Sequence, residues 1–165
     1  MEHAVVLASM DSLAAIFLSP LLGSYVDKYG KRLHLCALSA VGLVAGLTML
    51  LRRDVVASPV WAVAVLVLSS SSPTLVKSAV PLLTSKREMP AAYAILYALE
   101  NVTAGMCFVI VGRMQEDATA EGANGAFDSS LRLLIGIALA ALACAFVLLR
   151  HDKGALNRPP LSRSE

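Results

Sequence analysis

The chain has 165 residues, of which 57% are hydrophobic and 16% are charged, and its formal net charge is +2. Its mean hydropathy of +0.69 is well above that of an ordinary soluble domain. One small soluble fold cannot bury so much apolar surface, and the small net charge argues against a nucleic-acid partner. The composition therefore predicts a membrane protein that has the lipid bilayer as its main partner.

Five apolar runs follow one another along the chain, separated by short charged segments. A helix needs about 20 mostly apolar residues to cross a bilayer, and the runs lack the strict alternation of barrel strands. We therefore predict an all-α integral membrane bundle over residues 1–150 and a disordered tail over residues 151–165. The predicted helices cover residues 4–25, 33–51, 58–83, 90–112 and 130–149.

The first two predicted helices carry few interruptions. Asp11 and Pro20 are the only breaks in the first run. In the second run, Gly42 and Gly46 form a small-xxx-small pattern that favours close helix contact. Packing inside the fold and dimerisation would both use such a contact.

Polar residues mark the third and fourth predicted helices. Pro73 follows the serines 69–72 in the middle of the third helix and should kink it. These serines either present hydroxyls to a solute, or they satisfy the backbone beside the proline or pack helices together. In the fourth helix, Tyr93, Tyr97 and Asn101 share one face at four-residue spacing, which suits a polar stripe facing a cavity. Anchoring at the membrane surface is the alternative for Tyr93.

Lysine and arginine are concentrated in three of the connecting segments. They follow the first, third and fifth helices, whereas the segment between the fourth and fifth helices is acidic. Because cytosolic segments carry the excess of basic residues, we expect the C-terminus to lie in the cytosol. The acidic segment, which includes Glu116, Asp117 and Asp128, is predicted to be a loop on the opposite side.

Three charged side chains lie well inside the predicted spans, away from their ends: Asp11, Lys77 and Glu100. A charge inside hydrocarbon is costly and normally faces a bundle interior or a water-filled cavity. Lys77 and Glu100 lie on successive antiparallel helices, so we expect an ion pair between them. That pair would act as a gate, as part of a solute pathway, or as a structural contact with a snorkelling lysine. Asp11 either lines the pathway or faces a solvated vestibule.

The segment between the first two helices carries the most specific motif. A glycine is followed after four residues by an aspartate, then by a second glycine and a basic pair. A small residue permits close helix contact, the aspartate can accept from a neighbouring helix N-terminus or from an arginine, and the second glycine allows a tight turn. The matching residues are Gly23, Asp27, Lys28, Gly30, Lys31 and Arg32. An ordinary basic membrane loop is the alternative interpretation.

This motif resembles the signature loop of the major facilitator superfamily, where it joins helices two and three and recurs between helices eight and nine. Three further predicted helices follow the loop's second helix here, so the chain resembles helices 8 to 12 of such a carrier. Residues 21–31, Ala92, Tyr93 and Asn101 also resemble the lysosomal dipeptide transporters of the superfamily.

That resemblance implies uniport of dipeptides from the lysosome to the cytosol by alternating access, with a glycosylated lysosomal membrane protein as a partner. The chain departs from the family pattern at two positions. Glu100 stands where an uncharged polar residue is expected, and Lys77 stands where an aromatic one is expected. A lysine in the pathway would disfavour cationic dipeptides.

The sequence contains no pattern typical of an enzyme, a cofactor site or a metal site. There is no nucleotide-binding loop and no nucleophile with a positioned base. The three histidines are scattered, and the three cysteines lie within apolar runs, where we expect packed or lipid-facing thiols.

Two alternatives to dipeptide transport remain open at this stage. The chain could belong to a carrier for a sugar, a drug or an organic anion, or it could be a five-helix accessory protein that moves no solute. The plasma membrane is the alternative location. Because alternating access needs two six-helix halves, we expect seven further helices to be encoded upstream of Met1.

Overall fold

The computed structural model describes the backbone of residues 2–52, 59–69, 72–120 and 126–152, and the side chains of residues 16–52, 60–69, 74–116 and 127–152. Every regular element within these ranges is an α-helix, as predicted. The helices are α1 (Glu2–Tyr29), α2 (Arg32–Leu51), α3 (Pro59–Ser69), α4 (Ser72–Leu83), α5 (Met89–Ala120) and α6 (Ala126–His151).

Four stretches of helix are long and apolar enough to cross a membrane. They are Arg32–Leu51, Val60–Leu83, Met89–Glu116 and Phe127–His151. They correspond to the second to fifth predicted spans, and the predicted span 58–83 contains α3 and α4 together. The first predicted span lies in α1, but the side chains of residues 2–15 are outside the described residues. The kink expected at Pro73 also falls outside them, since neither residues 70–71 nor the proline ring is described.

The acidic segment is more helical than predicted. Glu116 and Asp117 belong to α5, which continues to Ala120, instead of lying in a loop after residue 112. Residues such as methionine, glutamine and glutamate have high helix propensity, so the helix continues past its apolar stretch. Asp128 lies in the first turn of α6, where a negative charge complements the helix dipole. At the other end of α6, His151 is helical, and residues 153–165 of the predicted tail lie outside the described part of the chain.

The central helix of the described bundle is α2, which packs against α3, α4 and α6. Its two small residues lie at the contact with α3. A Cβ at Gly46 would stand 2.7 Å from Leu66 Cγ, and a Cβ at Gly42 would collide with the Ser69 hydroxyl. The small-xxx-small pattern therefore packs inside the fold, which was the first of its two predicted uses.

The remaining helices surround this centre. α1 packs against α3 and α4, where Ser19 Oγ and Thr74 Oγ1 lie 3.4 Å apart. α5 contacts α4 and α6 at the periphery, and the most apolar 18-residue window of its span contains no buried residue. Most of the α5 surface is therefore available to lipid, to solute or to another protein.

Candidate functional site

The charged residues of α4 and α5 meet at the contact between these helices. Lys77 Nζ lies 2.9 Å from Glu100 Oε2, and the two side chains keep 26% and 41% of their surface exposed. The structure thus confirms the ion pair predicted from the order of the helices. Because an unpaired charge inside hydrocarbon is expensive, each partner reduces the cost of placing the other within the span.

Tyr97 completes this group of side chains, which we call the Lys77 cluster (Lys77, Tyr97 and Glu100). The ring centroid of Tyr97 lies 4.5 Å from Lys77 Nζ, within the range of cation–π attraction. Tyr97 and Glu100 are three residues apart in α5, so they project from the same face of the helix. An aromatic face and a carboxylate therefore hold the ammonium group together.

A proline in α4 presents the backbone of Lys77 to α5. Pro81 lies inside α4 and has no N–H, so the carbonyl four residues earlier, that of Lys77, loses its helical donor. The Tyr93 hydroxyl donates to this carbonyl at 3.1 Å. As a result, α5 contacts both the backbone and the side chain of Lys77. This role of Pro81 was not predicted, although its spacing of four residues from Lys77 is visible in the sequence.

A groove of about 550 Å³ lies beside the Lys77 cluster, between α4 and α5. Small-molecule sites commonly have volumes in this range. Four apolar side chains and two weakly polar ones line the groove next to the ion pair: Val76, Leu96, Leu99, Ala104, Thr103 and Cys107. The groove therefore combines one positive and one negative group with apolar walls.

Asn101, another predicted pathway residue, does not join the Lys77 cluster. Asn101 is exposed, and its Nδ2 donates to the Tyr97 carbonyl of its own helix at 2.8 Å. The polar stripe predicted along α5 therefore ends with a side chain bonded back to the helix. The backbone of Asp11 belongs to α1, but its side chain lies outside the described residues, so its role stays a prediction.

The segment that carries the glycine–aspartate–glycine motif contains a two-residue connection between α1 and α2. Gly30 and Lys31 both have left-handed backbones, with φ of 69° and 55° respectively. Gly30 N–H donates to the Val26 carbonyl at 2.8 Å, and the Lys31 carbonyl accepts from Leu35 N–H at 3.1 Å. The tight turn predicted at Gly30 is confirmed. The left-handed conformation of Lys31, a residue with a Cβ, was not foreseen.

Two charged residues of the loop form an ion pair, and two others are exposed. Arg32 Nη2 donates to Asp27 Oδ1 at 3.2 Å, and its side chain is only 3% exposed, whereas that of Asp27 is 66% exposed. This confirms that Asp27 accepts from an arginine, although burial of Arg32 was not expected for a residue assigned to a loop surface. Lys28 and Lys31 are exposed.

The close helix contact expected at Gly23 is not found in the described part of the chain. Apart from its own helix backbone and chain neighbours, no described atom lies within 4 Å of the position that its Cβ would occupy. The physical reason given for a glycine at this position is therefore wrong for the described bundle.

Among serines 69–72, only the side chain of Ser69 is described, and its position favours a packing role. Ser69 is buried, and its hydroxyl donates to the Val65 carbonyl of its own helix at 2.7 Å. It also borders a second cavity of about 340 Å³, which is lined mainly by leucines and valines of α1 to α4. The side chains of the other three serines lie outside the described residues.

The described residues contain no group of three or more side chains that could hold a metal ion. Cys36, Cys107 and Cys144 are free thiols. Only Cys107 lines the groove beside the Lys77 cluster, one turn beyond Thr103 in α5.

Fold and site together favour one class, that of multi-pass α-helical membrane proteins, because four helices can cross a bilayer and two of them carry an ion pair beside a groove. Comparison of the chain with models of protein families, with curated proteins and with solved structures found no match.

Proposed function

We propose that this chain is the C-terminal part of a major facilitator superfamily carrier, and that the carrier exports dipeptides from the lysosome to the cytosol by alternating access. The observation that carries the proposal is the Lys77–Glu100 ion pair at the wall of the α4–α5 groove. The signature loop between α1 and α2 supplies the second line of support.

The position of the ion pair argues against a purely lipid-facing surface. Glu100 keeps 41% of its side-chain surface exposed within a helix that is long and apolar enough to span a membrane. Charged groups in such helices normally face a bundle interior or a water-filled cavity, because contact with hydrocarbon is costly. A solute pathway in front of α4 and α5 would provide that polar environment.

The loop supports a conformational role. Only Gly30 and Lys31 separate α1 from α2, and the Asp27–Arg32 pair spans the same junction. So short a connection couples the two helices mechanically, as a rocking bundle requires. In the proposal, α1 and α2 move as one unit while the other half of the carrier closes against them.

Charge distribution supports the proposed orientation. Lys28 lies in the last turn of α1 and Arg150 in the last turn of α6. Further exposed basic residues follow α1 and α4, namely Lys31, Lys86 and Arg87. By the positive-inside rule these segments and the C-terminus lie in the cytosol. The lysosomal membrane and a glycosylated lysosomal partner protein belong to the proposal through the family resemblance.

The test begins with the reading frame upstream of Met1. We expect it to encode seven further apolar segments, and we expect vesicles containing the complete carrier to accumulate a labelled dipeptide. A variant with both Lys77→Met and Glu100→Gln should lose most of this uptake, whereas Val109→Ala, at an exposed position of α5 outside the groove, should retain it. An in-frame stop shortly before Met1 would overturn the proposal for this chain.

Two alternatives are distinguished by the same experiment. Uptake of a sugar, a drug or an organic anion in place of dipeptides would keep the carrier and change its solute. The second alternative is an accessory membrane protein, favoured by the absence of buried residues in the apolar window of α5. An upstream stop together with stable capture of one membrane partner through α5 would establish it.

A further inference from the structure

We infer that the α4–α5 groove selects small zwitterions with apolar side chains and rejects ligands that carry a net charge. The inference rests on the proposed function for the direction of transport, but the binding that it describes does not require transport. The ligand's carboxylate would bind Lys77 Nζ and its ammonium group would bind Glu100 Oε2.

The charged groups of the groove balance each other. Lys77 and Glu100 are 2.9 Å apart and carry opposite charges, so the pair is neutral as a whole. A ligand with one net charge would compete for one partner and leave the other without its counter-charge, which is costly away from water. A zwitterion brings both charges at once, so each of the four groups finds an opposite neighbour.

Lys77 and Glu100 are accessible from the groove and can each make further hydrogen bonds. Both side chains are partly exposed, and the groove runs directly past them. An ammonium group has three donors, and the carboxylate can accept at two oxygens, so neither group is saturated by one mutual bond. The Tyr97 ring, 4.5 Å from Lys77 Nζ, limits the movement of the lysine while a ligand binds. The pair can therefore bind a second, antiparallel pair of charges without being dismantled.

The apolar walls of the groove determine which side chains the ligand should carry. Val76, Leu96, Leu99 and Ala104 give the groove its apolar surface, and its volume of about 550 Å³ leaves room for side chains beyond the charged groups. Apolar contact adds affinity in proportion to the area removed from water. A leucine-containing zwitterion therefore fits better than one with polar side chains.

The experiment uses the full chain reconstituted in lipid nanodiscs and three matched ligands. Leucyl-alanine is zwitterionic at neutral pH, its N-acetyl form is an anion, and its C-terminal amide is a cation. We expect leucyl-alanine to bind about tenfold or more tightly than either blocked form in calorimetry at neutral pH. Free leucine, measured in parallel, shows whether one residue supplies enough apolar contact.

Charge-neutralising variants give a readout that loss of folding cannot mimic. Lys77→Met leaves only Glu100, so its preference should shift to the cationic amide. Glu100→Gln leaves only Lys77, so its preference should shift to the N-acetyl anion. Val109→Ala, at an exposed position of α5 that does not line the groove, should keep the preference of the original chain for leucyl-alanine.

Absence of saturable binding, or equal binding of the three ligands, overturns the inference, and so does an unchanged preference in both charge variants. Selective binding by the chain together with no uptake by the complete carrier would leave the inference standing and reject the proposed transport. Dipeptide uptake by the complete carrier, without selective binding of the zwitterion, would support the proposed transport and overturn the inference.

Discussion

The Tyr93 hydroxyl donates to the backbone carbonyl of Lys77 at 3.1 Å, so a residue of α5 replaces a hydrogen bond that α4 cannot make for itself. The missing donor is the N–H that Pro81 lacks. An unpaired carbonyl within a membrane helix is energetically costly, so this hydrogen bond should stabilise the contact between α4 and α5. Tyr93 thereby helps to fix the position of the lysine that forms the ion pair.

The Tyr93 contact predicts an energetic coupling with Pro81. Tyr93→Phe should lower the free energy of unfolding by about 0.5–1.5 kcal/mol, because the Lys77 carbonyl loses its donor. Pro81→Ala restores a helical N–H to that carbonyl, so Tyr93→Phe should cost little in that background. The four unfolding free energies, measured in detergent, form a double-mutant cycle. Equal costs of Tyr93→Phe in the two backgrounds would contradict the coupling.

The packing of α2 on α3 predicts opposite effects for alanine at two kinds of glycine. Gly46→Ala should destabilise the chain by about 1–3 kcal/mol, because the new Cβ overlaps Leu66 and approaches the Ala62 carbonyl. Gly105 and Gly136 have no neighbour within 4 Å among the described residues. Alanine there should stabilise the helix by up to about 1 kcal/mol. Thermal unfolding of the three variants tests the contrast, and a destabilised Gly136→Ala would contradict it.

The burial of Arg32 predicts that the two partners of its ion pair have unequal effects on stability. Arg32→Ala should lower the unfolding free energy by about 1–3 kcal/mol, since it removes a buried side chain and its charge-assisted hydrogen bond. Asp27→Asn should cost less than about 1 kcal/mol, because Asp27 is exposed and well hydrated. Arg52→Ala, at the exposed far end of α2, is the matched control. Equal costs for Arg32→Ala and Arg52→Ala would show that burial does not matter here.

The backbone of the loop predicts that two neighbouring lysines respond oppositely to glycine. Lys31 has φ of 55°, so Lys31→Gly should relieve left-handed strain and stabilise the chain by up to about 1 kcal/mol. Lys28 lies in the last turn of α1, where Lys28→Gly should cost about 0.5–1 kcal/mol. Both changes remove one exposed positive charge, which keeps the electrostatic effect comparable. Unfolding midpoints that shift in the same direction would contradict the prediction.

Features set by bilayer length and by residue spacing along one helix were predictable from the sequence. The apolar runs located the four stretches of helix that are long and apolar enough to cross a membrane, because each run exceeds or approaches the roughly 20 residues that a bilayer requires. Lys77 and Glu100 could be paired because they lie on successive antiparallel helices and a long lysine side chain can reach along its helix. Gly30 could be placed in a turn because only a residue without a Cβ adopts a positive φ at no steric cost.

Features that depend on the direction of a side chain were not predictable. Asn101 shares a face with Tyr97, yet its amide bonds to the helix that carries it. Nothing in the loop sequence indicates that Arg32 is buried while Lys31 beside it is exposed. The contact between Tyr93 and Lys77 required two facts at once: a proline that frees a carbonyl and a neighbouring helix that brings a hydroxyl to it.

The extensive contact between α2 and α6 has a consequence for the synthesis of the chain. These helices are separated along the sequence by α3, α4 and α5, so the face of α2 that receives α6 stays uncovered until the last helix has left the ribosome. A nascent chain stalled after α5 would lack the α6 contact with that face of α2. We therefore expect a chain truncated before α6 to be cleaved by added protease more readily than the full chain.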